Sequence, residues 1–514
     1  MPLGEPAPVI VRLPDLSPAG SAVARCISST EYMRVSSSIC AAAAAACAIL
    51  CSFTATIDAV ALDFLLGKLP SWPAISQYEI WGDADENVSA APKRHVVSIK
   101  SRQLADLRTR LTRRRSYPQM AHANWSYGID GEYLDGLVQY WEKEYSWRTH
   151  EAELNRIGLL SLVVDGLTIV FHQLRAPLET QEEEPPERLG LLLLHGWPGS
   201  ILEFRRLIGL LSTPGSAHHL AGVDLVVPCL PGYGFSSAPT REGYGVFPMA
   251  RTLHRLMLRL GYSHFVVQGG DWGSIVAQAM AVTHPAPLVG LHLNFFPCLP
   301  AGPVALLLDL LKIRFFDTAE SRARHARMND LGAIWQLTGY FHQQATKPET
   351  LGAALADSPV GLAAWIVEKF QSWSDGARPL ESKFSRDDLL SNVMIYWLTN
   401  SIVPSMRLYK EFARASDARA YVAPLAVPVG LSLFPHEIAA PPDAYIRRRF
   451  ADIVTMSHHK VGGHFAALER PEALASDVAE FLRALRAREA SEEASRQTSR
   501  RRIAASRSID MSHQ

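Results

Sequence analysis

A short run of residues near the middle of the chain has the form of a turn that presents a nucleophile. The apolar segment 264–268 leads into the sequence GGDWG at 269–273, and a run of small and apolar residues follows at 275–281. A glycine-flanked turn between a strand and a helix holds the residue at its tip above the edge of a sheet, and that residue is usually a serine. In this chain the residue at the tip is Asp271.

An aspartate at this position changes the chemistry that the turn supports. A carboxylate attacks amides and esters poorly, because the anhydride that it forms collapses back to the reactants. It does attack a saturated carbon that carries a strained ring or a leaving group, and the product is a covalent alkyl ester of the enzyme. Asp271 therefore predicts substrates of the epoxide or alkyl halide class rather than acyl substrates.

Hydrolysis of such an ester needs a base that activates water and an acid that orients the base. With this kind of turn, the expected order along the chain is nucleophile, acid, histidine. His464 follows two glycines after the last predicted strand and is the expected base, with His458 and His459 as competitors. Glu437 follows the preceding predicted strand and is the expected acid, with Asp443 as the alternative.

Two backbone amides are candidates to hold the oxyanion of the hydrolytic step. They belong to Trp272, which directly follows the nucleophile, and to Trp197 in the loop HGWPGS at 195–200. His195 begins this loop, and we expect it to brace the turn rather than to take part in the chemistry.

Opening of a three-membered ring also leaves an alkoxide, which needs a proton donor. Tyrosine suits this task because its phenol is protonated at neutral pH. The candidates in the helical part of the chain are Tyr340, Tyr396 and Tyr409, and composition does not choose among them.

The elements that carry these residues alternate between strands and helices. Strands are expected at 159–164, 167–172, 189–194, 224–228, 264–268, 289–296, 427–433 and 453–457. The first two form a predicted hairpin with an Asp-Gly turn. The alternation of strands and helices predicts an α/β fold with a mostly parallel sheet, and its interruption by a helical pattern at 298–415 predicts an inserted cap.

The predicted organisation of the chain has six segments. They are an N-terminal extension (1–90), an N-terminal domain (91–157), the two parts of the α/β core (158–297 and 416–487), the helical cap (298–415) and a disordered tail rich in Ser, Arg, Gln and Glu (488–514).

Composition limits the classes of protein to which this chain can belong. The 514 residues include 51 Lys and Arg against 51 Asp and Glu, and 48% are hydrophobic. This length accommodates a full α/β core with additions, and the charge balance gives no basic surface for nucleic acid. The cysteines follow neither a disulfide framework nor a metal-binding spacing. We therefore expect no cofactor, no metal and no nucleic-acid partner.

Residues 39–57 raise the question of a membrane segment. The stretch has no charged residue and is rich in alanine, and about 18 uncharged residues can span a bilayer. One interpretation is a signal-anchor or an uncleaved signal. The other is an alanine-rich buried or disordered stretch, because alanine contributes little to insertion. Localisation therefore stays open between the cytoplasm and a membrane of the endoplasmic reticulum type.

Together these motifs resemble those of the microsomal-type epoxide hydrolases, a family that also includes insect juvenile-hormone epoxide hydrolases and soluble fungal members. The similarity runs from about residue 95 to 487. It rests on the motifs HGWPGS, PGYGFS, GGDWGS and GGHFAA and on the cap sequences TKP at 346–348 and SPVGL at 358–362. The motifs HGWP and GGDWG, taken by themselves, would also fit the haloalkane dehalogenases.

The resemblance implies an α/β-hydrolase fold with a helical cap and an N-terminal domain that meanders over both. It implies Asp271 as nucleophile, Glu437 as acid and His464 as base. It also implies that Tyr340 and Tyr409 polarise the epoxide, with Tyr409 as the usual proton donor.

The expected reaction is the addition of water to a small hydrophobic epoxide, which gives a vicinal diol. Haloalkane dehalogenation and non-catalytic ligand binding on the same fold are the alternatives. The sequence leaves open membrane association through 39–57 and a homodimer.

Overall fold

A nine-stranded sheet forms the centre of the protein. The computed structural model describes residues 80–83, 91–177, 188–298, 303–414 and 423–511, without the side chains of 303–305 and 499–511. The strands are β1 (Lys93–His95), β2 (Leu159–Val164), β3 (Leu167–Leu174), β4 (Leu189–Leu194), β5 (Val223–Pro228), β6 (Phe265–Gly269), β7 (Leu288–Leu293), β8 (Val429–Leu433) and β9 (Ile453–His458). They lie in the order β1-β2-β3-β5-β4-β6-β7-β8-β9.

The sheet is antiparallel at one side and parallel at the other. The pairs from β1 to β3, and β3 with β5, are antiparallel, whereas every pair from β5 through β4 to β9 is parallel. The carboxyl ends of parallel strands meet at one edge of a sheet, where ligands bind in open α/β folds. The loops that carry Trp197, Asp271, Glu437 and His464 all follow strands of this parallel part.

The hairpin β2–β3 confirms the predicted Asp-Gly turn. Asp165 and Gly166 both have positive φ, 53° and 75°, as the two-residue turn of type I′ requires. The carboxylate of Asp165 also accepts a hydrogen bond from the hydroxyl of Thr252 at 2.6 Å. The turn is therefore anchored to the helix that packs beneath it.

The helices flank the sheet and build the cap. They are α1 (Ser101–Thr112), α2 (Gly131–Lys143), α3 (Trp147–Ile157), α4 (Arg205–Ser212), α5 (Val246–Arg259), α6 (Asp271–Thr283), α7 (Pro303–Phe315), α8 (Ala319–Met328), α9 (Leu331–Thr346), α10 (Pro348–Asp357), α11 (Pro359–Ser372), α12 (Arg386–Thr399), α13 (Ile402–Ala413), α14 (Asp443–Arg449), α15 (Ala466–Glu469) and α16 (Pro471–Met511). Helices α5 and α6 pack on each other, and α16 packs on β8 and β9.

The cap helices begin where their sequences favour it. Both α10 and α11 start with proline at the first helical position, where the missing N–H costs nothing. Ser358 caps α11 by accepting a hydrogen bond from the Gly361 amide at 3.0 Å. Helix α13 packs against α9 and α10, which joins the two helices that carry Tyr340 and Tyr409.

In the described part of the chain, no single helix has the length and apolar character needed to cross a membrane. The bent pair α10 and α11, at 117° to each other, passes that test by length and composition alone. The predicted membrane segment 39–57 lies outside the described residues.

The final helix differs from the predicted disordered tail. Helix α16 continues through residue 488 to Met511, into the segment that was predicted to be disordered. The segment 488–511 has neither proline nor glycine, and Ala, Glu, Arg and Gln favour helix. Pairs four residues apart, such as Arg496 with Glu492 at 3.3 Å, add to this on an exposed helix.

Glycine lets the helix α6 approach the sheet. A Cβ atom added to Gly273 would lie 2.0 Å from the carbonyl oxygen of Leu194 in β4, which is backbone and has little freedom to move. In α2, by contrast, a Cβ atom at Gly136 would have no neighbour within 4 Å. Close contact between α6 and β4 thus depends on Gly273.

We predict that Gly273→Ala lowers the free energy of unfolding by about 1–3 kcal/mol, because the added methyl group would meet backbone atoms that have little freedom to move. Gly136→Ala is the matched control and should raise it by up to about 1 kcal/mol, since alanine favours helix. Urea unfolding measures both values. Equal stability of Gly273→Ala and the wild-type protein would contradict the packing argument.

Candidate active site

The residue at the tip of the predicted turn begins a helix directly above the sheet. Strand β6 ends at Gly269, Gly270 caps the helix, and Asp271 is the first residue of α6. Asp271 has a φ of 46°, in the left-handed region that non-glycine residues seldom adopt. This strand–turn–helix geometry is that of a nucleophile elbow.

The loop after β4 closes on this carboxylate. The N–H of Trp197 donates a hydrogen bond to Oδ1 of Asp271 at 2.7 Å. A Cβ atom at Gly196 would lie 2.1 Å from the same oxygen, so glycine is needed for this approach. The N–H of Trp272 belongs to the first turn of α6, whose amides have no intrahelical acceptor.

The loops after β8 and β9 are joined to each other. His436 and Gly463 form a parallel bridge, and the N–H of His436 donates to the carbonyl of Gly462 at 3.1 Å. The backbone N–H of His464 donates to the carbonyl of Trp373 in the cap at 2.9 Å. These contacts place Glu437 and His464 side by side.

The imidazole of His464 connects two carboxylates. Its Nδ1 lies 2.7 Å from Oε1 of Glu437, and its Nε2 lies 3.1 Å from Oδ2 of Asp271. The side chains of His464 and Glu437 are 2% and 3% exposed, whereas that of Asp271 is 15% exposed. The structure thus brings together the three residues that were expected to form the triad.

The charges of this group are coupled. Burial opposes a charge on His464, but the adjacent carboxylates of Glu437 and Asp271 outweigh that effect and raise its pKa to about 10. At neutral pH the imidazole is therefore an imidazolium, with both nitrogens donating. Two carboxylates and one imidazolium leave one net negative charge in the site.

Two cap tyrosines lie over the elbow within an aromatic cluster. Tyr340 in α9 stacks on Trp197 with ring centroids 5.5 Å apart, and Tyr409 in α13 meets Trp272 edge-on at 4.8 Å. The two phenol rings are 5.8 Å apart. Among the described residues, none accepts or donates a hydrogen bond at the buried hydroxyl of Tyr409.

Both phenols are held in the protonated state. Burial, followed by the nearby charge of Asp271, raises the pKa of Tyr340 well above its usual value. Burial, together with the nearby charge of Asp271, raises the pKa of Tyr409 likewise. Two neutral phenols therefore lie near the nucleophile and can donate a hydrogen bond to a ligand oxygen.

The remaining tyrosine and the loop histidine have structural contacts. The hydroxyl of Tyr396 donates to the carbonyl of Gly199 at 2.7 Å, and it does not face the cluster. Burial lowers the pKa of His195 to about 4, so the ring is neutral. Its Nε2 accepts from the N–H of Leu230 at 3.2 Å, which braces the turn as expected.

The alternative acid and bases lie elsewhere. Asp443 begins α14 and is ion-paired with Arg324. His459 lies 2.6 Å from Asp477 through Nε2, and Nδ1 of His458 lies 3.8 Å from Glu320. None of these three candidates is brought to Asp271.

A small cavity of about 20 Å³ lies beside the triad, with Glu203 and Asn294 among the residues that line it. A space of this size holds one water molecule. Sequence reasoning did not select Glu203, although it follows the HGWPGS motif by three residues, nor Trp373, whose ring lies 5.0 Å from that of His464.

Across the described ranges, no group of three or more His, Cys, Asp or Glu side chains is arranged to hold a metal ion.

Comparison with known proteins adds independent findings. The family profile described as "Epoxide hydrolase N terminus" matches residues 92–204, and the profile "alpha/beta hydrolase fold" matches residues 191–424. A putative epoxide hydrolase of Stigmatella aurantiaca is 39% identical over 395 residues, 76% of this chain and 85% of that protein. Epoxide hydrolase 1 of the rabbit, Oryctolagus cuniculus, is 38% identical over 75% of this chain and 87% of its own length.

A solved structure agrees with these sequence matches. The crystal structure of juvenile hormone epoxide hydrolase from the silkworm Bombyx mori superposes with a TM-score of 0.71 at 33% identity. It covers 80% of this chain and 99% of the silkworm chain. Fold, motifs and relatives therefore agree that this chain belongs to the microsomal-type epoxide hydrolases, α/β hydrolases that add water to epoxides.

Proposed function

We propose that the protein hydrolyses small hydrophobic epoxides to vicinal diols through a covalent ester on Asp271. The observation that carries this route is the position of His464, hydrogen-bonded on one side to Glu437 and on the other to the carboxylate at the elbow. The roles of the residues follow from the contacts of each oxygen and nitrogen in this group.

In the first step, Oδ2 of Asp271 attacks one ring carbon and the carbon–oxygen bond of the epoxide breaks. The departing oxygen takes the proton of a cap phenol, Tyr409 or Tyr340, both of which stay protonated until this moment. Oδ1 remains as the ester carbonyl and keeps its hydrogen bond from the Trp197 amide. The aromatic walls suit an apolar epoxide.

Formation of the ester changes the state of His464. The carboxylate of Asp271 is one of the two charges that raise the histidine pKa, and the ester carries no charge. The pKa of His464 therefore falls when the ester forms, and its proton can return to the tyrosinate through solvent. The imidazole becomes a base at the point in the cycle when a base is needed.

In the second step, His464 takes a proton from water as the water attacks Cγ of the ester. Negative charge develops on Oδ1, which already accepts the hydrogen bond of the Trp197 amide, and the Trp272 amide in the first turn of α6 is the second donor that we propose for it. Collapse expels the diol, which takes one proton of the water, and returns the carboxylate and the imidazolium. Glu437 holds the ring in the orientation that this transfer requires.

We predict that His464→Gln traps the ester, because ring opening does not need the base but hydrolysis does. Incubation with styrene oxide should give a mass increase of one substrate on the peptide that contains Asp271. Removal of one acid–base group typically slows the affected step on the order of a hundredfold or more. His342→Gln, on an exposed position of α9, is the matched control and should turn over normally.

Asp271→Asn tests the nucleophile in the same assay. This variant should form neither adduct nor diol when it is used freshly purified, with its mass checked for deamidation. An adduct on another residue, or full turnover by intact Asp271→Asn, would remove Asp271 from the mechanism. No adduct on Asp271 in His464→Gln would count against the base.

We predict that replacing both Tyr340 and Tyr409 by Phe abolishes ring opening, because the epoxide oxygen would leave without a proton donor in an apolar site. Each single replacement should slow the alkylation step by about 10²-fold, as judged by stopped-flow tryptophan fluorescence. Tyr133→Phe removes another buried hydroxyl, on α2, and serves as the control. Rapid alkylation by the double variant would exclude the phenols.

We also propose that the full chain associates with membranes through residues 39–57. The uncharged composition of that segment supports this, as does the cap surface, where α7 exposes Leu307 and Phe315 and α9 exposes Trp335. Soluble monomers seldom expose large contiguous apolar patches, and such patches mark membrane or protein contacts.

We predict that the full chain sediments with anionic lipid vesicles, and that Ala45→Arg weakens this binding, because a central arginine opposes insertion by about 2.5–3.5 kcal/mol. Ala121→Arg, at an exposed position in the N-terminal domain 91–157, is the control and should bind as the wild-type protein does. Protein that stays in the supernatant would contradict the proposal. Light scattering of the protein without vesicles tests the homodimer that the sequence left open.

A further inference from the structure

Glu203 is an acidic side chain near the triad to which the mechanism above assigns no role. It lies in the short 3₁₀ helix Ile201–Phe204, which Ser200 caps directly after the HGWPGS motif. A Cβ atom at Gly199 would lie 1.2 Å from Oε1 of Glu203. The second glycine of the motif thus makes room for this carboxyl, as Gly196 does for Asp271.

Glu203 lines the same small cavity as Asp271 and His464. Glu203, Asp271, His464 and Asn294 supply the polar side chains that line a volume of about 20 Å³. The other lining groups are backbone and apolar side chains, such as Phe204. One water fits such a space and needs two to four polar partners, which these four residues provide.

Asn294 is oriented for this purpose. Its Oδ1 accepts a hydrogen bond from Nε2 of Gln268 at 2.9 Å, which fixes the amide. Its Nδ2 is the nearest atom to a Cβ built on Gly270, at 2.8 Å, next to the elbow. The amide therefore offers a donor at the side of the cavity where the nucleophile lies.

The environment of Glu203 favours the neutral acid. Part of Glu203 is accessible to solvent, but burial of its carboxyl raises the pKa to about 8. The positive charge of His464 lowers this pKa, and the negative charge of Asp271 raises it further. A neutral carboxyl has one O–H donor and one carbonyl acceptor. It can hold a water without competing with Asp271 for the proton of His464.

We propose that Glu203, together with Asn294, positions the water that hydrolyses the alkyl ester of Asp271. The inference rests on the proposed two-step function and concerns its second step. The water oxygen attacks Cγ of Asp271 and gives one proton to Nε2 of His464. Its other O–H is held by the carbonyl oxygen of the Glu203 acid, which aligns the lone pair with Cγ. Glu203 is a positioning residue, since it neither forms nor breaks a covalent bond.

The test separates the two half-reactions in single-turnover experiments with styrene oxide. In Glu203→Leu, ester hydrolysis should slow on the order of a hundredfold, which is the effect expected when a reactant is misplaced. Alkylation should stay within about twofold of wild type. In the steady state kcat and KM should fall together with kcat/KM preserved, because the ester accumulates.

Glu203→Gln should hydrolyse the ester within about fivefold of wild type, because an amide is neutral and of the same shape. Glu349→Gln, an exposed glutamate of α10, is the surface control. Asn294→Ala should slow the same half-reaction, which keeps the proposal testable if Glu203→Leu does not fold.

Three outcomes overturn the proposal. In the first, Glu203→Leu and Asn294→Ala hydrolyse the ester at the wild-type rate. In the second, both variants lose alkylation and hydrolysis to the same extent. In the third, Glu203→Gln hydrolyses the ester as slowly as Glu203→Leu. Failure of the underlying function looks different, because then no ester forms on Asp271 in wild-type protein or in His464→Gln.

Discussion

A nucleophilic carboxylate with only 15% of its side chain exposed lies at the centre of an aromatic site, and the rest of the structure depends on stabilising it there. Isolated charges are costly in such surroundings, so they are paired and hydrogen-bonded. Asp271 receives the amide of Trp197 on one oxygen and the imidazolium of His464 on the other, while Glu437 stabilises the imidazolium. The resulting pKa of His464, about 10, falls once Asp271 is esterified and uncharged.

The positions of Asp271, Glu437 and His464 depend on loops and helices that approach one another closely through their backbones. Gly273 lets α6 lie against Leu194, and Gly196 lets the loop after β4 reach the nucleophile. The bridge between His436 and Gly463 sets the acid and the base side by side at the edge of the parallel strands. Larger side chains at the two glycine positions would move whole elements, because the atoms they would meet are a backbone carbonyl and the nucleophile itself.

Much of this was readable from local patterns. Alternating strands and helices, the Asp-Gly hairpin and the glycine-flanked elbow are short-range features, and the strands β2 to β9 were predicted to within a few residues. The three-residue strand β1 was not predicted. The segment from 488 onward was predicted to be a disordered tail, because an exposed segment without apolar periodicity resembles one although its residues favour helix. Glu203 was overlooked because a single glutamate after a motif carries no periodic signal, and burial is a property of the folded chain.

The sequence by itself determined the class of chemistry. An aspartate at the elbow and the order of acid and histidine along the chain are visible in the residues, and the combined motifs identified the family. Tertiary structure alone decided which residues meet. It brought His464 rather than His458 or His459 to Asp271, and it placed the hydroxyl of Tyr396 on a carbonyl and the ring of Tyr409 against Trp272, the residue after the nucleophile. These contacts join segments that are more than a hundred residues apart in the chain. Local sequence patterns do not show which of such distant segments pack together.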